Sequence, residues 1–435
     1  VDRRCSSQLL HFGSDVADIG CADLRYDEEE NKPGNQCALY ADVRVYSAAS
    51  DRDQPERASG GKRTGKEYKS MKKIKGKKIT AGLTSLFLIT VLVITGCIGL
   101  TGCGSSDPSQ TINVFNWGEY IDEDLLRDFE DETGIKVNYT TVATCEEMYA
   151  KMKAGGVSYD VVVPSDYMVA RMAEEDMIQE IDWDNVPNAQ YIDEDFRNPE
   201  YDPEGKFSAP YQWGTVAIIY NKDMVDEADL TGWEILWNEK YKDNILMFDN
   251  SRDAIGIALK ELGYSYNTTD EAQIREAADL LKKQKPLVQA YVMDQIFDKM
   301  ENGEAAIATY YVGDYYLMLN ELGEDSDIDL GLYKPEEGSN LYVDAMCIPK
   351  DAQNKEGAEK FINFLLKPEN MAQNTEWISY STAESAAREL LPEEMKNNED
   401  MYPTGDQLNQ YETFTNLPEN IRALYDELWT SILSA

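Results

Sequence analysis

Residues 111–163 have the sequence TINVFNWGEYIDEDLLRDFEDETGIKVNYTTVATCEEMYAKMKAGGVSYDVVV, and this stretch decides the fold class. Short apolar segments at three places predict β-strands: 111–115, 135–139 and 159–163. Asp122 is suited to cap a helix after the first strand, and Gly134 is suited to end it. A second helix is expected around Met148–Ala154. This β-α-β-α-β order predicts an α/β domain with a largely parallel sheet.

The alternation of strands and helices continues towards the end of the chain. The sequence predicts further strands at Ala217–Tyr220, Ile245–Phe248, Ala305–Tyr311, Gly331–Tyr333 and Leu341–Ile348, and helices at Asp253–Leu262 and Lys355–Leu366. The stretch from Thr111 to Ala435 is long for a single domain of this type, so we expect two lobes.

The charge of the chain is strongly unbalanced, with 81 Asp and Glu against 41 Lys and Arg, a net charge of −40. The excess follows Cys103, where 68 acids face 25 bases. Such a surface repels nucleic acid and attracts cations, so no nucleic-acid partner is expected. Net charge alone identifies no ligand, because many acidic proteins are simply soluble.

Histidine occurs once, at His11, before the region predicted to fold. Its absence elsewhere excludes Ser-His-Asp and Cys-His catalysis there and makes most zinc chemistry unavailable. We therefore expect no enzyme, no cofactor and no metal. A carboxylate-based hydrolase stays open as an alternative, although no two acids are spaced as a catalytic pair.

The first hundred residues differ in character from the rest. Residues 1–70 mix charged runs with Ser, Arg and Gly, and we interpret them as a non-native, disordered upstream extension; the alternative is a genuine disordered extension. Met71 opens a predicted signal peptide, 71–103, with a basic segment followed by the apolar segment Ile79–Ile94.

Two segments resemble the lipobox of bacterial lipoproteins, one ending at Cys97 and the other at Cys103. We favour lipid attachment at Cys103, with Cys97 as the alternative, because the polar tether 104–110 follows Cys103 directly. This pattern argues against a transmembrane anchor. The remaining cysteines, Cys145 and Cys347, are expected to be buried and unpaired.

Aromatic and acidic residues occur together just after several predicted strands, where ligands of open α/β sheets bind. The segments concerned are 116–120, 164–167, 249–253 and 310–316. Aromatic faces attract ammonium groups and pack on methylene chains, and carboxylates accept charge-assisted hydrogen bonds from ammonium groups. This combination suits a ligand with cationic ends and an apolar middle. The alternative is that the aromatic residues fill cores and the acids cap helices.

The chain resembles the bacterial spermidine/putrescine-binding proteins of polyamine ABC importers over nearly all of 111–435 and none of 1–70. The matching motifs are Asn116–Tyr120, Thr133–Val137, Glu147–Lys151, Tyr159–Ser165, Pro210–Gly214, Leu262–Ser265, Asn267–Asp270 and Asn354–Ala358.

The resemblance implies a periplasmic-binding-protein-like fold of two α/β lobes that close on ligand by a hinge motion. We expect crossing strands near Ala217 and Tyr342. The predicted lobes are discontinuous: lobe 1 comprises 111–217 and 343–390, and lobe 2 comprises 218–342 and 391–435.

The resemblance also marks the ligand-binding residues. They are aromatic or hydroxyl-bearing side chains and carboxylates at the cleft: Trp117, Glu119, Tyr120, Ser165, Tyr167, Asp253, Tyr311, Tyr342, Asp344 and Tyr380. It points to a further residue near Thr415 without naming it. Asp253 and Asp344 are expected to bind amino groups, and the aromatic rings are expected to pack on the methylenes.

Three positions depart from the family pattern. Asn250 stands where spermidine binders often have Asp, and Tyr311 and Tyr342 stand where Trp is common. A missing carboxylate favours putrescine over spermidine, because an unpaired buried ammonium is costly. The choice between the two stays open.

The resemblance implies the partners of the chain as well: a polyamine ligand, the transmembrane subunits of an ABC permease, and the membrane through the N-terminal lipid. We expect a monomer on the extracellular face of the cell membrane or in the periplasm. The alternatives are a binder of a betaine-like quaternary amine or of ferric ion, the latter through Tyr310-Tyr311 or Tyr315-Tyr316.

Overall fold

The computed structural model of the protein describes residues 110–323 and 325–435. The predictions for the extension 1–70, the signal peptide 71–103, both lipobox cysteines and all but the last residue of the tether therefore lie outside the described residues. Within the described part, no helix has both the length and the apolar character needed to cross a bilayer.

The β-α-β-α-β unit predicted for the first stretch is confirmed. Asp122 caps the first helix by accepting a hydrogen bond from the backbone N–H of Asp124 at 3.0 Å, and Gly134 ends it with φ of 74°. The unit consists of β1 (Thr111–Trp117), α1 (Glu123–Thr133), β2 (Lys136–Val142), α2 (Cys145–Ala154) and β3 (Val161–Val162). Strand β1 is parallel to both β2 and β3.

The other strands are β4 (Ile178–Gln179), β5 (Ser208–Asn221), β6 (Ile245–Phe248), β7 (Val288–Val292), β8 (Ile307–Tyr311), β9 (Leu330–Tyr333), β10 (Ser339–Pro349), β11 (Ser381–Thr382) and β12 (Tyr411–Glu412). The main order is β2-β1-β3-β10-β5-β8-β6-β7. Each end of this order is parallel, and the middle, where β3, β10, β5 and β8 meet, is antiparallel.

The remaining helices cover the sheet: α3 (Asp166–Glu174), α4 (Ser251–Glu261), α5 (Glu271–Gln284), α6 (Ile296–Glu301), α7 (Val312–Leu322), α8 (Lys355–Leu365), α9 (Pro368–Ile378), α10 (Ser385–Arg388), α11 (Glu393–Lys396) and α12 (Glu419–Leu433). Helices α2 and α3 lie with the β2-β1-β3 half, whereas α4, α5 and α12 pack together at the β6-β7 half. The protein therefore has the predicted mixed α/β, two-lobe fold, whose exact lobe boundaries stay a prediction.

Strands β5 and β10 connect the two halves of the sheet. Strand β5 pairs with β10 as far as Thr215 and with β8 from Val216 onwards. On β10, Tyr342 and Asp344 are two residues apart and so face the same side of the sheet. The register shifts immediately after Asp344, and such a bulge bends a strand locally.

The differences between predicted and observed elements have physical reasons. The predicted strand Ala217–Tyr220 covers only the last part of β5. The first part was not predicted because it contains Pro210 and Gly214, which usually interrupt strands. The elements that were not predicted are helices α3, α5, α6, α7, α9, α10, α11 and α12 and strands β4, β7, β11 and β12. Cys145 and Cys347 are both free and buried, which confirms the expectation for them.

The carboxylate of Asp160 connects strand β1 with the loop that precedes α8. Its Oδ2 accepts the backbone N–H of Asn113, and its Oδ1 accepts those of Gln353 and Asn354, each at 2.8 Å. The side chain is 1% exposed. These bonds tie β1 to the loop before α8, so the carboxylate holds one end of the sheet together.

We expect Asp160→Ala to lower the free energy of unfolding by about 3 kcal/mol, because three backbone N–H groups, that of Asn354 fully buried, lose their acceptor. Urea unfolding followed by circular dichroism measures this change. The control is Asp351→Ala, at an exposed position nearby, which is expected to be nearly neutral. Equal effects of the two substitutions would contradict the structural assignment of Asp160.

Candidate functional site

One cavity brings together every ligand-binding residue predicted from the sequence. It has a volume of about 80 Å³ and lies where the crossing strands meet the ends of β1, β3, β6 and β8. The predicted residues that line it are Trp117, Glu119, Tyr120, Ser165, Tyr167, Asn250, Asp253, Tyr311, Tyr342, Asp344 and Tyr380. No Lys, Arg or His of the described residues lines it.

Asp344 on β10 is held by two hydroxyl groups. Its Oδ1 accepts a hydrogen bond from Ser165 Oγ at 2.6 Å, and its Oδ2 accepts one from the Tyr120 hydroxyl at 2.7 Å. Burial raises the pKa of Asp344 to about 6, and these two hydrogen bonds oppose the rise. Because a carboxylate has about four acceptor positions, Asp344 can still accept hydrogen bonds from a ligand.

Aromatic rings form a connected wall around Asp344. Tyr120 and Tyr380 meet edge to face with their centroids 4.8 Å apart, and Tyr311 and Tyr342 do so at 5.1 Å. Tyr342 also contacts Tyr380, at 6.4 Å. Each ring is fixed by its neighbours, so the wall offers pre-positioned aromatic surface to an apolar or cationic ligand.

Two glycines make this wall possible. A Cβ atom at Gly214 would overlap the hydroxyl end of Tyr342, and a Cβ atom at Gly313 would overlap the ring of Tyr380. Both glycines therefore serve close packing of the rings. Gly214 lies on β5 opposite Tyr342 in the strand register.

The cavity contains further buried acids. Asp253 lies in the first turn of α4 and Asp314 in the first turn of α7, and both are buried. Burial raises the pKa of Asp253 to about 7, with a further contribution from Glu146 and an opposing one from Arg252. Burial likewise raises the pKa of Asp314 to about 8.

Asn250 lines the cavity but is engaged elsewhere. Its Oδ1 caps α4 by accepting the backbone N–H of Arg252 at 2.8 Å and that of Asp253 at 3.4 Å. The residue therefore places the start of the helix that carries Asp253, and it contributes no negative charge to the cavity.

Sequence reasoning missed several lining residues, of which the most important are the acids Asp294 and Asp314. Asp314 lies in 310–316, one of the segments after a predicted strand where aromatic and acidic residues occur together, so the sequence pattern could have identified it. Asp294 follows β7, which was not predicted, and it had no signal. Phe414 also lines the cavity and lies beside Thr415, near which a further residue was expected.

Among the described residues, one group of acids has a spacing compatible with a metal ion: Glu234, Glu261 and Glu337, whose ligand atoms lie within 4.8 Å of one another. The group does not line the cavity. Burial and repulsion from Glu234 raise the pKa of Glu261 to about 7. Two of the three side chains are exposed, so water solvates the group, and exposed acids alone do not define a metal site.

An interlobe cavity with this lining is typical of proteins that capture small solutes between two α/β lobes. The model of the bacterial extracellular solute-binding protein family matches residues 124–404. This chain belongs to that family.

Individual relatives agree with this assignment. The chain is 39% identical over 323 residues to a protein of Escherichia coli named spermidine/putrescine-binding periplasmic protein, covering 74% of this chain and 91% of the relative. It is similar to a solved structure described as a spermidine/putrescine ABC transporter from Listeria monocytogenes, with 42% identity, a TM-score of 0.71, and coverage of 75% and 99%. A spermidine/putrescine ABC transporter substrate-binding protein from Streptococcus pneumoniae has 40% identity, a TM-score of 0.63 and the same coverage.

The raised carboxyl pKa values predict how the stability of the ligand-free protein depends on pH. Asp253, Asp314 and Asp344 bind protons more tightly folded than unfolded, where carboxyl pKa values are about 4. Their contribution to stability is fully present below about pH 4 and is lost as pH rises through about 6 to 8. Each group adds a slope of up to about 1.4 kcal/mol per pH unit.

We expect Asp314→Asn to flatten this dependence, because the amide replaces a carboxyl that is neutral when buried. Urea unfolding of both proteins between pH 5 and pH 9 measures the slopes. The control is Asp329→Asn, which replaces an exposed acid outside the cavity and is expected to leave the slope between pH 5 and pH 9 unchanged. If the Asp314→Asn variant has the same slope of unfolding free energy against pH as the unsubstituted protein, Asp314 is ionised throughout this pH range.

Proposed function

We propose that this protein is the substrate-binding component of a polyamine ABC importer and that its ligand lies in the cavity around Asp344. The observation that carries the proposal is the lining itself: five carboxylates, no basic side chain among the described residues, and a wall of tyrosines. Three of these carboxylates, Asp253, Asp314 and Asp344, are buried and need partners, which a ligand with several ammonium groups supplies.

The distribution of the acids supports a ligand charged at more than one end. Asp344 lies on the crossing strand β10, whereas Asp253 and Asp314 lie at the starts of α4 and α7. The rings of Tyr342 and Tyr380 contact each other beside them. Ammonium groups would bind the carboxylates, and the methylenes between them would pack on the rings. The names of the E. coli and S. pneumoniae relatives support the same ligand class.

A quaternary amine fits this cavity less well. A betaine-like ligand carries no N–H group, so it can satisfy none of the buried carboxylates by hydrogen bonding. Ferric ion would use paired tyrosine hydroxyls, and of the two pairs considered only Tyr310 and Tyr311 line the cavity.

Between the two polyamines we propose a preference for putrescine. Asn250 uses its oxygen to cap α4, so the position offers no anionic acceptor to a third amino group. Asp294 and Asp314 also line the cavity and offset part of this missing charge.

The proposed function includes delivery of the ligand to the transmembrane permease subunits and retention at the cell surface by a lipid on Cys103, or alternatively on Cys97. The protein would act as a monomer, outside the cell membrane or in the periplasm. Mass spectrometry of the membrane-extracted protein tests the lipid, because diacylation adds a large mass to the cysteine-containing N-terminal peptide.

Calorimetric titration with putrescine, cadaverine, spermidine, spermine and betaine tests the ligand class. We expect one-to-one binding of polyamines, with putrescine tightest, and no heat with betaine. Asn250→Asp should shift the ranking towards spermidine by adding a carboxylate. Folded protein that binds none of the polyamines would refute the proposal.

A second prediction concerns Asp344. We expect Asp344→Asn to weaken putrescine binding at least tenfold, because hydrogen bonds to charged groups contribute about 1.5–3 kcal/mol. The matched control is Asp166→Asn, which replaces a fully buried carboxyl close by that does not line the cavity. An unchanged dissociation constant in Asp344→Asn would remove this residue from the site.

A further inference from the structure

A second cavity, of about 210 Å³, shares Tyr167 with the first. We call it the arginine cavity because Arg171, Arg252 and Arg422 line it. From Thr111 onwards the chain has seven arginines and 67 acids. Three of the seven in one cavity concentrate positive charge within a strongly acidic protein.

Arg252 is the central feature of this cavity. The residue is 6% exposed, and its Nε and Nη1 atoms donate no hydrogen bond to any described residue. Its Nη2 makes two long hydrogen bonds, of 3.4 Å each, to Asn267 Oδ1 and the backbone oxygen of Thr415, and its guanidinium lies 4.4 Å from the ring centroid of Phe414. A buried guanidinium without a close acceptor is costly, so an acceptor is expected.

Further donors point to the same kind of partner. The Tyr425 hydroxyl is buried and makes no hydrogen bond with the described residues, although it lines the cavity. Ser251 also lines it and is the first residue of the eleven-residue helix α4, whose N-terminus carries partial positive charge. These groups offer hydrogen bonds to an anion.

The other two arginines are held in place and keep donors available. Arg171 Nε binds Glu175 Oε1 at 3.0 Å, and its guanidinium stacks 3.7 Å from the ring centroid of Tyr149. Arg422 Nη1 donates to Asn416 Oδ1 at 2.8 Å and to the backbone oxygen of Leu417 at 2.6 Å. Because a guanidinium has five N–H donors, both side chains can bind a further acceptor.

The acids of the cavity do not supply the acceptor for Arg252. Glu146 and Asp426 line the cavity, but neither forms an ion pair with Arg252 within 4.0 Å in the described part of the chain. Glu146 Oε1 instead accepts the hydroxyl of Tyr167 at 2.9 Å. Burial raises the pKa of Glu146 and so favours its neutral form.

We propose that the arginine cavity binds a small oxyanion, of the phosphate, sulfate or carboxylate type, through Arg252, Tyr425 and the start of α4. Arg171 belongs to α3, which lies with the β2-β1-β3 half, whereas Arg252 and Arg422 belong to α4 and α12 of the other half. A bound anion therefore bridges the two lobes and stabilises the arrangement in which the first cavity is enclosed.

Thermal unfolding of the purified protein tests the site directly. At constant ionic strength, phosphate, sulfate or acetate is expected to raise the melting temperature in a saturable manner relative to chloride. The ranking of the three anions identifies the type of oxyanion. Equal melting temperatures in chloride and in all three oxyanions would overturn the proposal.

Substitutions of the three arginines test whether the oxyanion binds in the arginine cavity. We expect Arg252→Gln to abolish the oxyanion-dependent rise, and Arg171→Gln and Arg422→Gln, at less buried positions, to reduce it severalfold. The matched control is Arg388→Gln, because Arg388 also stacks on a tyrosine at 3.7 Å but lines a different cavity. An unaltered rise in the Arg252, Arg171 and Arg422 variants would place the anion elsewhere and refute the assignment.

The bridging part of the proposal rests on the proposed polyamine function and has its own measurement. Putrescine titrations with and without phosphate, at equal ionic strength, should show about fivefold or greater tightening by phosphate. Equal affinities would refute the bridge but not the anion site. Absence of polyamine binding altogether would refute the proposed function, and the melting experiments would still decide the anion site.

Discussion

The burial of several carboxylates around one cavity, without an internal cation to neutralise them, is the constraint on which the rest of the structure depends. Asp253, Asp314 and Asp344 are buried, and within the described residues no Lys or Arg forms an ion pair with any of them. Burying such groups is costly, and the protein limits the cost through hydroxyl donors, helix starts and partial protonation. Ser165 and Tyr120 hold Asp344, and their hydrogen bonds oppose the rise in its pKa.

The crossing strands follow from the same constraint. The acids can be buried together only if both halves of the sheet contribute to one enclosed space, and β5 and β10 provide the continuous backbone that joins the halves. The cavity is therefore formed by the relative position of the lobes. A ligand that binds carboxylates on both sides stabilises the closed arrangement by its differential affinity for it.

Much of this architecture could be predicted from residue patterns, for identifiable reasons. The opening unit has strong capping signals at Asp122 and Gly134, and both act as predicted. Strand ends placed Trp117 and Asp253 at the cavity, because parallel strands bring their carboxyl ends to one edge. The aromatic-x-acid pair Tyr342 and Asp344 came from the family resemblance, and the alternation of β10 explains why both face the cavity.

The remaining residues could not be predicted, since their position depends on tertiary packing. Asp294 follows β7, which has only one fully buried position and therefore a weak strand pattern. Arg252 has no sequence feature that distinguishes a buried guanidinium from an exposed one. Asn250 was interpreted as a lost charge, whereas its observed contacts are those of a helix cap.

The start of α4 connects the two cavities electrostatically. Asp253 lines the first cavity and its neighbour Arg252 lines the second, because consecutive helical residues point in directions about 100° apart. The charge of Arg252 lowers the pKa of Asp253, so the two groups attract each other. A cation bound at Asp253 weakens that attraction and leaves Arg252 in greater need of an anion. By reciprocity, an anion at Arg252 leaves Asp253 more able to bind a cation, so binding in the two cavities is expected to be mutually favourable.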